Sequence, residues 1–458
     1  MYCAPLRLLA TEVYRSLNAA GVYCSLRTGQ ERRAVPFARH SACTVEMADC
    51  TDSAAVVDVA ILDEIQLLAD ENRGWAWTRA LYGLPARELH LCGDASALPL
   101  VRAAAAVLGE PLEERGYSRL TPLAASHKSL QGDIRAVQPG DALVAFSRRA
   151  IFELKRDVER ATGTRCAVVY GALPPEARTR QAALFNDPES GYDVLVASDA
   201  IGLGLNLNIK RVVFTQLSRR EGAGEPVALP ASLVRQIAGR AGRAGSRWPS
   251  GEVAALHAAD VPRLLECLAA PTVDAAAAGV LPLWEEHLAP FAEAHPGATL
   301  PELLDLVAGA ARVGGRFFVC RQDDVRASAA LLERVQGLSL AQRFLFATAP
   351  VSLGDSDGQA ALLSFAAAYA AGEAVPLGLP SAVEAPIRGA ASPQAWLAEL
   401  EARHATVNLY LWLAMRTEQG AFHEAERAQA LALHLVAALN AALQRSSDAA
   451  VRTHARRR

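Results

Sequence analysis

At 458 residues, 51% hydrophobic and 21% charged, the chain has the composition of a soluble globular protein with length for about three domains. A net charge of -3 excludes a global attraction to nucleic acid, so any such binding has to use local basic surfaces. The eight cysteines show neither a C-x-x-C pair nor zinc-ligand spacing, which points to a reducing cytoplasm, and no apolar run is long enough to span a bilayer.

Met1 to Ala4 reads as the end of a strand, and Leu8 to Ala19 as a helix with Leu9, Val13 and Leu17 on one face. Pro5 and Arg7 break the apolar start and make it a poor secretory signal. Strands follow around Val22–Leu26 and Ala42–Val45. The run from Val56 to Leu62 is apolar enough for a parallel strand buried on both faces. Next come a helix at Trp75–Tyr82 and a strand at Glu88–Cys92 that runs into Gly93-Asp94. Alternation of this kind predicts a doubly wound parallel sheet.

After Thr121-Pro122 the pattern begins again. Asp141–Phe146, Arg165–Tyr170, Tyr192–Ala197 and Arg211–Gln216 read as strands of a second, similar lobe joined to the first near residues 122 to 128. One helix places Ile151, Leu154 and Val158 on a common face, and Pro174-Pro175 opens another. Beyond about residue 270 the texture becomes alanine- and leucine-rich, with helical runs at Ala327–Val335, Ala360–Ala371 and Ala395–Ala414. Gly354–Gly358 and Val375–Pro393 read as loops, and His454 to Arg458 as a frayed terminus. The expected division is 1–124, 125–270 and 271–458: two α/β lobes, then a mostly helical domain.

Two stretches carry chemistry. Asp63-Glu64 stands where the apolar strand ends, the place where open α/β sheets bind ligands. Adjacent carboxylates there suit a nucleoside triphosphatase: Asp63 for a Mg²⁺ that bridges phosphate oxygens, Glu64 to orient and deprotonate the attacking water, Gln66 beside them. Alone, the pair reads as a solvated acidic turn. The second stretch is Gln236-Ile237-Ala238-Gly239-Arg240-Ala241-Gly242-Arg243, a helix from about Ser232 followed by a loop with two arginines three residues apart. Arginine presented to a γ-phosphate neutralises charge in the transition state, so the two stretches together favour the functional reading. All but three of the 46 basic residues are arginine, the exceptions being Lys128, Lys155 and Lys210; this composition reflects a GC-rich bacterial genome more than any function. Cys43 and Cys50 read as ordinary thiols, and His40, His90 and His127 have no companions at ligand spacing.

At this point the chain resembles a superfamily-two RNA helicase of the DExH type, and within it the mitochondrial-degradosome family, named for suppression of the Var phenotype, with its bacterial relatives. Ala4-Pro5-Leu6-Arg7, Thr28-Gly29-Gln30-Glu31 and Cys43-Thr44-Val45-Glu46-Met47 resemble its RNA-contact motifs; Asp63-Glu64-Ile65-Gln66 resembles its Walker B box, and Arg73 to Ala80 a family hallmark. Gly93-Asp94 resembles the motif that couples hydrolysis to movement. In the second lobe, Ala145 to Arg149 and Tyr170 to Pro174 resemble RNA-tracking segments, and Ser198 to Asn206 a motif shared between RNA and nucleotide. Leu409-Tyr410-Leu411-Trp412-Leu413 resembles a signature of the family's carboxyl-terminal domain, expected physically as core.

The resemblance implies two tandem RecA-like lobes, the first lacking its amino-terminal part, and a helical domain. It implies ATP and Mg²⁺ as cofactors and single-stranded RNA as partner, unwound 3′ to 5′ for turnover beside an exoribonuclease, in bacterial cytoplasm or, in a eukaryote, mitochondria. Residue by residue, catalysis falls to Glu64, Gln66, Gln236, Arg240 and Arg243, with nucleotide contacts from Asp63, Gly93, Asp94, Asp199, Gly204 and Asn206. RNA contacts fall to Pro5, Arg7, Thr28, Gly29, Thr44, Glu46, Ser147, Arg148, Gly171 and Ser198, largely through phosphates. Trp75 and Trp77 are expected in the core rather than stacked on bases.

One departure stands out: no G-x-x-x-x-G-K-[ST] occurs in the 458 residues. The expectation is that Met1 is not the natural start, that such a loop lies in frame upstream, and that this chain alone is poorly stable and without ATPase. The rivals are a DNA translocase with the same engine and an inactive helicase remnant serving as an RNA-binding scaffold.

Overall fold

A short strand, β1 (Tyr2–Ala4), lies inside the first sheet, flanked on both sides by parallel neighbours. The computed structural model describes residues 1–458 except Asp52, Leu203, 221–223, 380–392, Gln419 and 456–458, and describes only the backbone of Pro393 and of 449–455. It divides into two units, one of Met1–Glu113, Val273–Ile387 and Ala402–Leu435, the other of Glu114–Thr272, Arg388–Glu401 and Val436–Arg458.

In the first unit, β1 is followed by α1 (Arg7–Ala19), β2 (Cys24–Arg27), β3 (Arg32–Arg33), β4 (His40–Thr44), β5 (Val57–Leu62), α2 (Gly74–Gly83), β6 (Ala86–Leu91) and α3 (Leu98–Leu108). The strand order is β3-β2-β4-β1-β5-β6, parallel except for the β2–β3 hairpin. The expected helix face is used: Leu9, Val13 and Leu17 pack with Ala10 over Ala4, Cys24, Leu26 and Ala42. On the opposite face Trp77 of α2, fully buried, joins Cys3, Cys43, Leu62 and Leu68.

β5 corrects the expectation of a strand buried on both faces. Ala60 and Leu62 are sealed, but Val59 is 40% exposed and Val56 67%. The reason is coverage: α1 packs on β1, β2 and β4, while the α2 side alone buries β5 well.

The second unit holds β7 (Leu123–Ala125), β8 (Asp141–Val144), α4 (Arg148–Thr162), β9 (Cys166–Val169), α5 (Pro175–Asn186), β10 (Val194–Ala197), β11 (Arg211–Phe214), the β12–β13 hairpin (Ser218–Arg220, Pro226–Ala228), α6 (Ala231–Ala238), β14 (Gly251–Ala255) and α7 (Val261–Ala269). The main sheet, β7-β14-β11-β8-β10-β9, is parallel throughout. β14 and β7 extend the sheet beyond Arg211–Gln216, the last strand read from the sequence of this lobe. On α4 the buried stripe is Ile151, Phe152, Lys155, Val158 and Glu159, with Leu154 only half-buried. Lys155 pairs with Glu159 at 2.7 Å and donates to Ser447 at 2.7 Å, and this pairing lets a lysine occupy a core position.

The remaining elements are β15 (Ala278–Val280), α8 (Ala289–Ala294), α9 (Leu300–Ala310), β16 (Phe317–Val319), α10 (Asp323–Leu332), α11 (Leu340–Ala347), α12 (Ser356–Ala370), α13 (Pro393–Ala414) and α14 (Ala425–Ala455). The parallel β15–β16 pair interrupts the expected helical texture. Gly279 of β15 approaches α2 so closely that a Cβ would lie 3.1 Å from Trp75 N and 2.5 Å from Cys320 Sγ. Ser356–Gly358, expected in a loop, begins α12 behind an Asp355 cap. Residues 380–392 of the other expected loop lie outside the described residues. His454 and Ala455 continue α14 rather than fraying, and 456–458 lie outside the described residues. Among the described residues no helix is long and apolar enough to cross a membrane. The architecture is that of parallel-sheet, RecA-like α/β lobes with a helical carboxyl-terminal region.

Candidate functional site

The carboxyl ends of β5 and β6 bring Asp63, Glu64, Gln66, Gly93 and Asp94 together in the first unit. β5 hands over to Asp63, whose N–H donates to Cys3 O at 3.1 Å. Its carboxylate accepts the Tyr2 hydroxyl at 2.7 Å on Oδ2 and the Glu64 N–H at 2.9 Å on Oδ1. Burial first, then Asp63, raises the Tyr2 phenol far above its ordinary range, so it stays a donor. Glu64 adopts φ 53°, ψ 50°, the left-handed region unusual for a residue with a Cβ, and this turn swings its side chain off the strand. Gln66 Nε2 donates to Glu64 Oε2 at 2.5 Å, and its Oε1 accepts the Asp94 N–H at 2.9 Å. Gly93 makes this possible: a Cβ there would lie 2.3 Å from Gln66 Oε1 and 2.8 Å from Ile65 N.

No group of three or more His, Cys, Asp or Glu suited to a metal occurs among the described residues. Mg²⁺ does not require one, since it is held by one or two carboxylates together with phosphate oxygens and water. Each Asp63 oxygen retains a lone pair beyond its hydrogen bond, so the strand end fits such an ion.

The RNA-contact candidates of this unit are tied into their surroundings. Pro5 is buried, and its carbonyl accepts from Arg73 at 2.6 Å. Arg73 also pairs with Glu46 at 2.6 Å and lies over the Trp77 ring. Arg7 donates to Gln30. Thr28 is fully buried, its hydroxyl accepting the Glu31 N–H at 3.2 Å, so the side chain holds the turn rather than facing outward. Thr44 is also buried, at the end of β4.

Sequence reasoning missed what supports this loop. Arg416, just past α13, donates to Gly29 O at 3.0 Å and stacks on Trp412 with 4.0 Å to the ring centroid. Burial and Arg27 lower its pKa to about 10. His404 is buried beside Arg7, its pKa lowered to about 4 by burial and then by that arginine. The signature Leu409 to Leu413 divides: Leu409, Tyr410, Leu411 and Leu413 are core, and Trp412 turns to Gly29. A tryptophan in the last turn of a helix and an arginine four residues on, just past its end, were the available signal.

In the second unit the Gly-Arg loop folds back onto the segment between β10 and β11. Arg240 donates to Gly202 O at 2.9 Å and to Leu205 O at 3.4 Å, and Gln236 packs against Gly202. Among the described residues the Arg243 side chain hydrogen-bonds only Asn206 Oδ1, at 3.4 Å. Asp199 opens a 3-10 turn with Arg219 3.9 Å away. Gly204 takes φ 78°, and Leu203 lies outside the described residues. Arg119, unremarked in the sequence, caps the loop through Gly239 O at 3.1 Å and Gly242 O at 2.7 Å.

Ser147 caps α4 by accepting the Ala150 N–H at 3.1 Å, and Ser198 accepts the Ala200 N–H at 3.0 Å. Arg148 is neutralised by Glu401, 3.0 Å away, which also accepts the Tyr170 hydroxyl at 2.5 Å. Gly171 is exposed with open space at its Cβ position. The hydroxyls of Thr28, Ser147 and Ser198 thus each accept a local backbone N–H, which fixes the side chain while its O–H remains a donor.

Four family models match the chain: the DEXQ-box helicase domain of Suv3 over residues 1–117, the helicase conserved C-terminal domain over 127–245, Suv3 C-terminal domain 1 over 327–370, and the ATP-dependent RNA helicase SUV3 C-terminal domain over 397–445. The chain is 46% identical over 449 residues to the mitochondrial DExH-box ATP-dependent RNA helicase DExH18 of Arabidopsis thaliana, covering 98% of this chain and 56% of that protein. To the mitochondrial DExH16 of the same plant it is 42% identical over 421 residues, covering 91% of this chain and 72% of that protein. The E. coli DExH-box NTPase HrpB aligns with TM-score 0.44 and 16% identity, over 89% of this chain and 53% of that one. The chain thus spans little more than half the length of its first relative, while sharing motifs and identity along nearly its whole extent. It belongs to the Suv3 family of superfamily-two helicases.

Proposed function

We propose that these residues serve an ATP-dependent RNA helicase activity that moves 3′ to 5′ along single-stranded RNA in RNA turnover, with an exoribonuclease as partner. The observation that carries this is the Asp63–Glu64–Gln66–Asp94 strand end, held in a family whose relatives are named ATP-dependent RNA helicases. Asp63 would hold Mg²⁺, which supplies charge neutralisation at the phosphates. Glu64 takes the proton of the attacking water, and Gln66 fixes the rotamer of Glu64. Gly93 and Asp94 follow the state of the phosphates through Gln66. Gln236, Arg240 and Arg243, with Asp199, Gly204 and Asn206, supply nucleotide contacts and positive charge. RNA is held by backbone groups around Pro5, Arg7, Thr28, Gly29, Thr44 and Glu46, and around Ser147, Arg148, Gly171 and Ser198. The working division is 1–124, 125–270 and 271–458, and the compartment is bacterial cytoplasm or, as the relatives' names have it, the mitochondrion.

Because the 458 residues hold no G-x-x-x-x-G-K-[ST], we propose that alone they bind RNA without turning over ATP. That absence also favours the second reading, an RNA-binding scaffold. Two measurements separate these. RNA binding by the chain should weaken steeply with salt and show little sequence preference. Joined to a segment carrying the phosphate loop, it should displace strands from 3′-tailed RNA duplexes in preference to 5′-tailed or DNA-tailed ones. Absence of RNA binding defeats both readings; binding without ATP-dependent displacement in the joined form leaves the scaffold.

A further inference from the structure

The register of the first sheet sets four side chains in one row. Arg32 lies opposite Arg27, Arg27 opposite Cys43, and Cys43 opposite Cys3. Register partners project to the same face, here the face that α2 covers. The two thiols lie 3.7 Å apart, and both are free. Adjacent strands run about 4.7–4.9 Å apart, within the Cα separation of roughly 4.4–6.8 Å that a disulfide bridges.

This edge of the face is open. A cavity of about 300 Å³ is lined by Cys43, Arg27, Arg32, Arg33, Ser25 and Ser41, with Asp49 as its acid. Cys43, only 3% exposed, is among its lining residues, and Cys3, fully buried, is not. Within this hydrogen-bonded pair the contact with Cys3, and then Arg27, pull the Cys43 thiol below its ordinary range against burial and Glu46, while the same contact and burial hold Cys3 above its own, so Cys43 is the first to give up its proton. Burial raises the neighbouring Cys50, leaving it the poorer nucleophile.

We propose that Cys43 and Cys3 form a thiol–disulfide modification site, reached through the arginine-lined cavity by an anionic low-molecular-weight disulfide such as oxidised glutathione. The Cys43 thiolate attacks one sulfur of that disulfide, forming a mixed disulfide and releasing one glutathione thiolate, which takes up a proton. Cys3 then gives up its proton, attacks the Cys43 sulfur and expels the second glutathione thiolate. Two protein thiols lose two electrons and two protons, and one glutathione disulfide becomes two thiols. Arg27 and Arg32 favour the carboxylates of the incoming reagent. The site stands on the sheet's register and does not depend on what the chain does with RNA.

The test treats the full 458-residue chain, well below its melting temperature, with oxidised glutathione or with neutral hydroxyethyl disulfide, and maps Cys3, Cys43, Cys50 and Cys92 by peptide mass spectrometry. Expected are a Cys3–Cys43 cross-linked peptide, a melting temperature raised until dithiothreitol is added, and faster reaction with glutathione disulfide than with the neutral reagent. Arg27→Gln should remove that preference several-fold. Cys3→Ser should stop at glutathione on Cys43, and Cys43→Ser should leave Cys3 a thiol. Modification of exposed Cys92 while Cys43 stays a thiol overturns the proposal, as does a mixed disulfide on Cys43 of the unsubstituted chain that never resolves. Cross-linking that tracks the unfolded fraction overturns it as well.

Discussion

Gln66 aims its side-chain N–H at Glu64, 2.5 Å from Oε2, while its other end accepts the backbone of Asp94. A carboxylate so held keeps one oxygen for a substrate proton. Glu64→Gln in the phosphate-loop-joined form should therefore lower ATP turnover by about 10²–10⁴-fold with RNA affinity unchanged. Steady-state ATPase within a few-fold of the parent would sink the assignment.

Gly93→Ala should disturb the same link from the other side. The added Cβ meets Gln66 Oε1 and the backbone of Ile65, and relieving such overlap costs roughly 1–3 kcal/mol. Denaturant unfolding measures this; a stability equal to the parent's would mean that the β6 end moves freely.

The two arginines of the Gly-Arg loop should part company. Arg240 anchors the Gly202 and Leu205 carbonyls, so Arg240→Ala should lower the melting temperature. Among the described residues the Arg243 side chain has only the 3.4 Å hydrogen bond to Asn206, so Arg243→Ala should spare melting and reduce RNA-stimulated turnover by about 10³-fold or more. Equal losses of stability in both variants count against this division.

Lys155 and Glu159 are 2% and 1% exposed. Lys155→Met leaves a carboxylate buried without its cation, costing about 3–5 kcal/mol. Changing Glu159→Gln as well should recover much of that loss while keeping an acceptor for the Cys166 N–H. Thermal melts of the single and double variants decide it, and a double variant no better than the single contradicts the argument.

His404 ties stability to pH. With its folded pKa near 4 and an unfolded value near 6.5, the unfolded chain binds the extra proton between these values. Stability is full above about pH 6.5 and falls as pH drops toward 4, by roughly 3 kcal/mol from this residue. His404→Gln should flatten that interval in denaturant titrations run from pH 7 to pH 4; an unchanged slope would rule the histidine out.

The strands and helices were legible wherever one apolar period dominated, as in α1 with Leu9, Val13 and Leu17. β3 escaped because two arginines carry no strand signal, β7 because it is only three residues long, and β14 because Gly251, Ala254 and Ala255 have little strand propensity. The strand end at Asp63 was readable because chemistry concentrates carboxylates there. Arg119, His404 and Arg416 were not, because each acts across more than a hundred residues on a backbone carbonyl or a side chain that no local pattern reveals. Lys155 was hidden for the opposite reason: a lysine on an apolar stripe reads as surface until its partner is seen.

Gly29 has consequences for which sequences can descend from this one. A Cβ there would rest 3.8 Å from both Trp412 and Arg416, ordinary contact distance, so alanine is admissible and anything bulkier must push the helix away. Positions 29 and 412 are therefore bound to drift together, a larger residue at one becoming tolerable only after a smaller one at the other. Selection for revertants of a bulky Gly29 variant should return changes at Trp412, nearly four hundred residues downstream, more often than changes among its own neighbours in the loop.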